Sequence, residues 1–121
     1  MPRLLPLVLC VCLLAVAGVA AAQAAPAKTV LHLQTASGAQ MKFTSSSLKA
    51  KAGVVVIMLQ NASLVPHNVA IKGNGVNVKG KVVPHGSVST VTATLKKGRY
   101  EFYCSVPGHE QAGMKGTLTI S

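Results

Sequence analysis

Acidic side chains are nearly missing from this chain: its 121 residues include no Asp and only two Glu, Glu101 and Glu110, against twelve Lys and Arg. Eleven of those basic residues follow residue 27, so the segment 28–121 sets eleven positive side chains against two negative ones, a net charge of about +9. Nucleic acid is the usual partner of such charge. Here the lysines are scattered rather than clustered, tryptophan is absent, and two Phe and two Tyr leave little on which bases could stack. The charge points instead to an acidic protein partner or an anionic membrane surface, and it also serves solubility.

Cysteine is scarce as well. Two of the three, Cys10 and Cys12, lie in a leader-like start that has a basic residue at Arg3, an apolar run from Leu4 to about Ala22, and small-residue cleavage candidates after Ala24 and Ala27. Residues 1–27 are therefore expected to be a secretory signal, with export to a periplasm or to the outside of the cell. The run is near the length that spans a bilayer, but no basic stop-transfer flank follows it. Neither leader cysteine is preceded by the small residue that a lipoprotein signal needs. The remaining 28–121 make one domain with one modest core. Only Cys104 stays in it, so no internal disulfide is possible, and a lone exported thiol needs another reason to be there.

Helical periodicity is absent after the leader. Val54 to Leu59 is a continuous β-branched and apolar run of the kind found in a sandwich core. Val91, Ala93 and Leu95 alternate with Thr90, Thr92 and Thr94, and Tyr100, Phe102 and Cys104 alternate with Glu101 and Tyr103, which the pattern turns outward. Val30–Gln34, Met41–Thr44 and Lys115–Ile120 are further strand candidates. A strand after Pro66 is expected to turn His67, Val69 and Ile71 inward and Asn68, Ala70 and Lys72 outward. Asn74-Gly75 and Lys97-Gly98 mark turns. Seven to eight short strands in under a hundred residues predict an all-β fold, an antiparallel Greek-key β-sandwich.

The chemistry is concentrated near the C-terminus, where Cys104, His109 and Met114 follow one another as Cys-x4-His-x4-Met. A thiolate, an imidazole and a thioether are soft or borderline donors with no hard oxygen among them, which disfavours magnesium and calcium and favours copper. Two histidines, one cysteine and a weak axial methionine form the electron-transfer copper arrangement. His67, inward on its strand and stiffened by Pro66, is the best second histidine. His32 and His85 are expected at the surface, and Met41 and Met58 in strand packing.

These residues resemble the cupredoxins of the plastocyanin and azurin group. Pro66-His67-Asn68-Val69 and Tyr100-Glu-Phe-Tyr-Cys-Ser105 are similar to plastocyanin, and Pro107-Gly108-His109 is like azurin and auracyanin. The resemblance covers about Val30 to Ile120. It implies one type 1 copper ion held by His67, Cys104, His109 and Met114, a hydrogen bond from Asn68 toward Ser105, the Pro66 carbonyl near the open axial side, and Tyr103 as a second route for electrons. The chain departs from both parents in spacing: four residues separate Cys104 from His109, against two in typical plastocyanins, and four separate His109 from Met114, against three in azurins.

The expected function is one-electron transfer between redox partners, by a monomer that is not an enzyme, since four protein donors leave no position for a substrate. The electron port would be the edge of His109, set among Val106, Pro107, Gly108 and Ala112. Copper delivery is the alternative, although delivery sites favour exposed, readily exchanged ligands over donors fixed on strands and loops.

Overall fold

The computed structural model describes residues 2, 15–19 and 27–121. The expected leader, with Cys10, Cys12 and Ala24, lies outside the described residues apart from 2, 15–19 and 27. No helix occurs among the described residues. Eight strands form two sheets: β1 (Lys28–Gln34), β2 (Ser47–Ala50), β3 (Gly53–Gln60), β4 (Ala70–Gly73), β5 (Val76–Lys79), β6 (Val88–Leu95), β7 (Gly98–Tyr103) and β8 (Lys115–Ile120). One sheet runs β1-β3-β6 and the other β2-β8-β7-β4-β5.

Strand β6 shows why the sheets face each other. Ser89, Val91, Ala93 and Leu95 are buried while the threonines between them are exposed, a period of two that leaves one face dry. Val55, Ile57 and Leu59 of β3 join it from the same sheet, and Ile71, Phe102, Leu118 and Ile120 close the core from the other. Each such large apolar side chain contributes roughly 1.5–3 kcal/mol when fully buried. The β4–β5 hairpin turns on Asn74 and Gly75, both at positive φ (49° and 81°), as a two-residue turn of the twist-matched kind requires.

The β-sandwich agrees with the pattern of the sequence, with differences in detail. Two pairings, β1 with β3 and β2 with β8, are parallel. Between β1 and β3 the chain crosses to the other sheet to form β2, and such a crossover returns it in the same direction. Met41–Thr44 makes no strand: it forms a single bridge, Phe43 with Thr35, flanked by backbone bonds from Ala36 to Lys42 and from Thr44 to Gln34, and Phe43 packs on Phe102 with ring centroids 5.5 Å apart. Met41, no longer required to pack, is 39% exposed. After Pro66 the regular strand begins only at Ala70, and His67 makes a single bridge to Val83. Asn68 and Ala70, expected to face water, are buried, because the segment is covered on both sides.

Gly80 brings the β5–β6 connection close to this segment. A Cβ there would stand 2.8–2.9 Å from Ser89 Oγ and from the carbonyls of Thr90 and Val69, so only a glycine lets the chain lie flat beside it. The β3–β4 and β5–β6 connections meet at the end of the sandwich where β7 stops and β8 starts.

Candidate metal centre

Cys104 is the first residue after β7 and Met114 the last before β8, so the loop between them leaves and re-enters the same antiparallel pair. Its neck is closed by Cys104 N–H donating to Met114 C=O at 3.1 Å. Inside the loop, His109 N–H donates to Val106 C=O at 3.0 Å and Met114 N–H to His109 C=O at 3.0 Å. Gly108 and Gly113 take the positive φ values, 86° and 103°, that so tight a path needs. His109 is thereby folded back over Cys104.

The third member arrives from the β3–β4 connection. His67 Nδ1 stands 3.1 Å from His109 Nδ1 and 3.8 Å from Cys104 Sγ, and Cys104 Sγ is 3.5 Å from His109 Nδ1. All three residues are buried; His67 and Cys104 are fully enclosed and His109 keeps 5% exposure. A circle through the three donor atoms, drawn from these distances, has a radius of about 2.0 Å, close to the ~2.0–2.1 Å of a zinc–imidazole bond and just under the ~2.3 Å of zinc–thiolate, which guide the expected lengths for a first-row ion. The triangle is thus of a size that would hold one ion. Met114 is fully buried at the neck of the same loop.

Asn68 fixes the distance between the two segments. Its Oδ1 accepts the Ser105 N–H at 2.7 Å, and its Nδ2 donates to Ser105 Oγ at 2.7 Å and to Gly80 C=O at 3.0 Å. The expected tie from Asn68 to Ser105 is therefore present, and it reaches the β5–β6 connection as well. Burial lowers the pKa of His67 below its ordinary value and the neighbouring His109 lowers it further, a direction that favours the neutral ring a metal requires. Burial raises that of the Cys104 thiol, while the backbone N–H groups of Asn68 and Val106 pull it partly back. A metal entering the site must displace that thiol proton.

Three residues of the centre's surroundings carry no signal in the sequence. Ser63 Oγ lies 3.0 Å from His67 Nε2, and Ser63 is in turn held by Asn61 and Thr35. All three are buried polar side chains in stretches that read as ordinary turn or strand-end sequence. His32 and His85 are exposed, as expected, with His85 Nδ1 anchored 3.0 Å from Ser63 C=O. Tyr103 departs from its expected place. It is 5% exposed, its hydroxyl donates to Asn77 Oδ1 at 3.0 Å, and Lys72 Nζ caps its ring 4.4 Å from the centroid. Lys72 also pairs with Glu110 at 2.5 Å and Glu101 at 3.6 Å, so both acidic side chains of the chain meet on one lysine. That cluster draws Tyr103 under cover.

A buried cysteine sulfur and two imidazoles at one end of a β-sandwich define a mononuclear copper-type site. The comparisons agree: the family model for copper binding proteins of the plastocyanin/azurin family matches residues 30–121. The chain belongs to that family, and its donor set is that of a single type 1 copper. The chloroplastic plastocyanin of Pisum sativum is 34% identical over 114 residues, which cover 84% of this chain and 66% of that protein, so the chain spans about two thirds of that relative's length. Among solved structures, auracyanin B is similar with a TM-score of 0.66 and 27% identity, covering 82% of this chain and 92% of its own. Auracyanin A of Chloroflexus aurantiacus, described as a "blue" copper protein, has a TM-score of 0.67 and 22% identity, covering 78% of this chain and all of its own.

Replacing Asn68 with Ala removes three hydrogen bonds, two that join the ligand-bearing segments at Ser105 and one to Gly80. At roughly 1 kcal/mol each, the metal-free protein is expected to lose about 3 kcal/mol in urea unfolding. A loss within error of zero would show that the tie does not hold the segments.

Proposed function

We propose that this protein is a one-electron carrier in which copper is ligated by His67 Nδ1, Cys104 Sγ and His109 Nδ1, with Met114 as the weak fourth donor. The observation that carries this reading is the triangle itself: three donors held at 3.1, 3.5 and 3.8 Å, with the chain already folded around them. When bound, copper supplies a Cu(II)/Cu(I) couple. The chain's part is to keep its donors still while the charge changes, and the hydrogen bonds of Asn68 and the closed Cys104–Met114 neck are suited to that. Rigid, buried donors weigh against copper delivery, which needs ready ligand exchange. They equally weigh against an enzyme, which needs an open position at the metal.

His109 is the one donor residue with residual exposure, so its edge is the proposed port. Pro107, Gly108 and Ala112 around it are exposed and uncharged, and Val106 is half-buried. Tyr103, beneath Lys72, is not proposed as a second port. Export is proposed on the leader pattern of residues 1–27. The proposed partner is an acidic redox protein. An open cleft of about 280 Å³ runs beside Cys104, Pro107 and Gly108 and is edged by Lys79, while Glu101 and Glu110 are both engaged by Lys72. Lys72 and Lys79 together only balance Glu101 and Glu110 here, so the attraction to an acidic partner rests on the net charge of about +9 over residues 28–121.

The copper-loaded protein is expected to show intense visible absorption when oxidised and reversible one-electron cycling. A colourless protein that binds only Cu(I) would favour delivery. Ala112→Asp is expected to leave the absorption band in place and slow electron exchange with a protein partner about tenfold, equivalent to roughly 1.4 kcal/mol; an unchanged rate would remove the His109 route. Reaction with an acidic partner is expected to slow about tenfold or more as ionic strength rises from low to physiological, and salt independence would reduce the positive charge to a solubility feature.

A further inference from the structure

The geometry points to Ser63 as the positioning residue that presets the ligating tautomer of His67, an inference that rests on His67 serving as a copper ligand through Nδ1. A neutral imidazole carries its proton on one nitrogen only, and the nitrogen that binds metal must be the bare one. Ser63 decides which nitrogen that is.

The argument is a count of protons. Ser63 Oγ has three neighbours at hydrogen-bond distance: Gly38 C=O at 2.9 Å, Val65 N–H at 3.1 Å and His67 Nε2 at 3.0 Å. A carbonyl can only accept, and Gly38 C=O, which takes the Leu64 N–H at 2.8 Å on one lone pair, has a second for Ser63, so the single hydroxyl proton of Ser63 is assigned to Gly38. The Val65 amide can only donate, and it takes one lone pair of the oxygen. What remains for His67 is the other lone pair, so Nε2 must bring the proton. Nδ1 is left bare, and Nδ1 is the atom that faces Cys104 Sγ and His109 Nδ1.

The backbone that carries Ser63 is itself held in place. Its backbone N–H donates to Thr35 Oγ1 at 3.1 Å and to Asn61 Oδ1 at 3.1 Å, and its carbonyl accepts from His85 Nδ1 at 3.0 Å. Asn61 is fixed in its turn: its Nδ2 donates to the carbonyls of Val65 and Val83, and its Oδ1 accepts the Thr35 hydroxyl at 3.2 Å. Thr35, Asn61 and Ser63 are each at most 1% exposed. The chain runs from the Gly38 carbonyl on the β1–β2 connection to the His67 ring, and the Gly38 carbonyl and the Val65 N–H, each able to play only one role, set the part taken by the Ser63 hydroxyl between them. His109 has no such arrangement. Among the described residues its Nε2 has no protein hydrogen-bond partner, so of the two imidazoles one is preset and the other is not.

The test uses nitrogen and proton NMR of the metal-free protein at mildly alkaline pH. His67 is expected as the Nε2–H tautomer alone, and His109 as a mixture or the other form. A His67 ring protonated at Nδ1 overturns the inference without any variant being made. Ser63→Ala is expected to give His67 mixed tautomers and to weaken copper binding roughly 10- to 100-fold, with a shifted reduction potential. Ser63→Thr, which keeps the hydroxyl, is expected to retain the single tautomer. A folded Ser63→Ala protein with one Nε2–H tautomer and unchanged copper affinity would reduce Ser63 to a packing role. His67→Ala separates the two levels: copper affinity unchanged there would overturn the ligand assignment itself, whereas affinity lost there but kept in Ser63→Ala overturns only the role of Ser63.

Discussion

Three electron-rich atoms facing one another at under 4 Å inside a protein form an arrangement that folding alone has no reason to produce. Without a cation between them, neutral imidazole lone pairs and a buried sulfur gain little from proximity and lose their water. Much of the end of the sandwich around them can be understood as the means of holding that arrangement. The antiparallel β7–β8 pair supplies a fixed neck, Asn68 joins the two ligand-bearing segments, and the buried polar chain of Thr35, Asn61 and Ser63 orients the third donor from behind. The sheets contribute distance and direction; the hydrogen bonds among the connections contribute precision.

The division between what was legible in the sequence and what was not follows from the range of the forces involved. Cys104, His109 and Met114 lie within one loop, so their spacing could be read directly. The alternation of β6 records a local fact, which face of a strand is dry. Direction is not local: nothing in Lys28–Gln34 or Gly53–Gln60 says that the chain has crossed to the other sheet between them, and the parallel pairs were invisible for that reason. Ser63 and Asn61 stand between an apolar strand and a proline, where polar residues usually meet water, and only the return of residues 35–38 and 83–85 over them makes them interior. Tyr103 fell on the outward phase of its strand and is outward in that sense. It is covered by a lysine from β4 that strand alternation says nothing about.

The hybrid spacing of the ligand loop has a physical counterpart in its internal bonds. With four residues on each side of His109, the loop can make a turn before the histidine and another after it, and each is closed by backbone hydrogen bonds rather than by contacts with the rest of the protein. The site therefore joins a self-supporting loop, carrying three of the proposed donors, to a histidine that depends on its surroundings for orientation. That asymmetry matches the placement of the buried polar chain, which lies behind His67 and not behind His109.

The meeting of Glu101 and Glu110 on Lys72 has a consequence beyond the shielding of Tyr103. With both carboxylates engaged there, the other ten Lys and Arg side chains of residues 28–121 have no acidic side chain of their own chain left to face. Two copies approaching each other meet like charge in almost every orientation. On the proposed reading, a population of such carriers would pass few electrons among its own members, and each would keep its electron until a molecule of opposite sign came within reach.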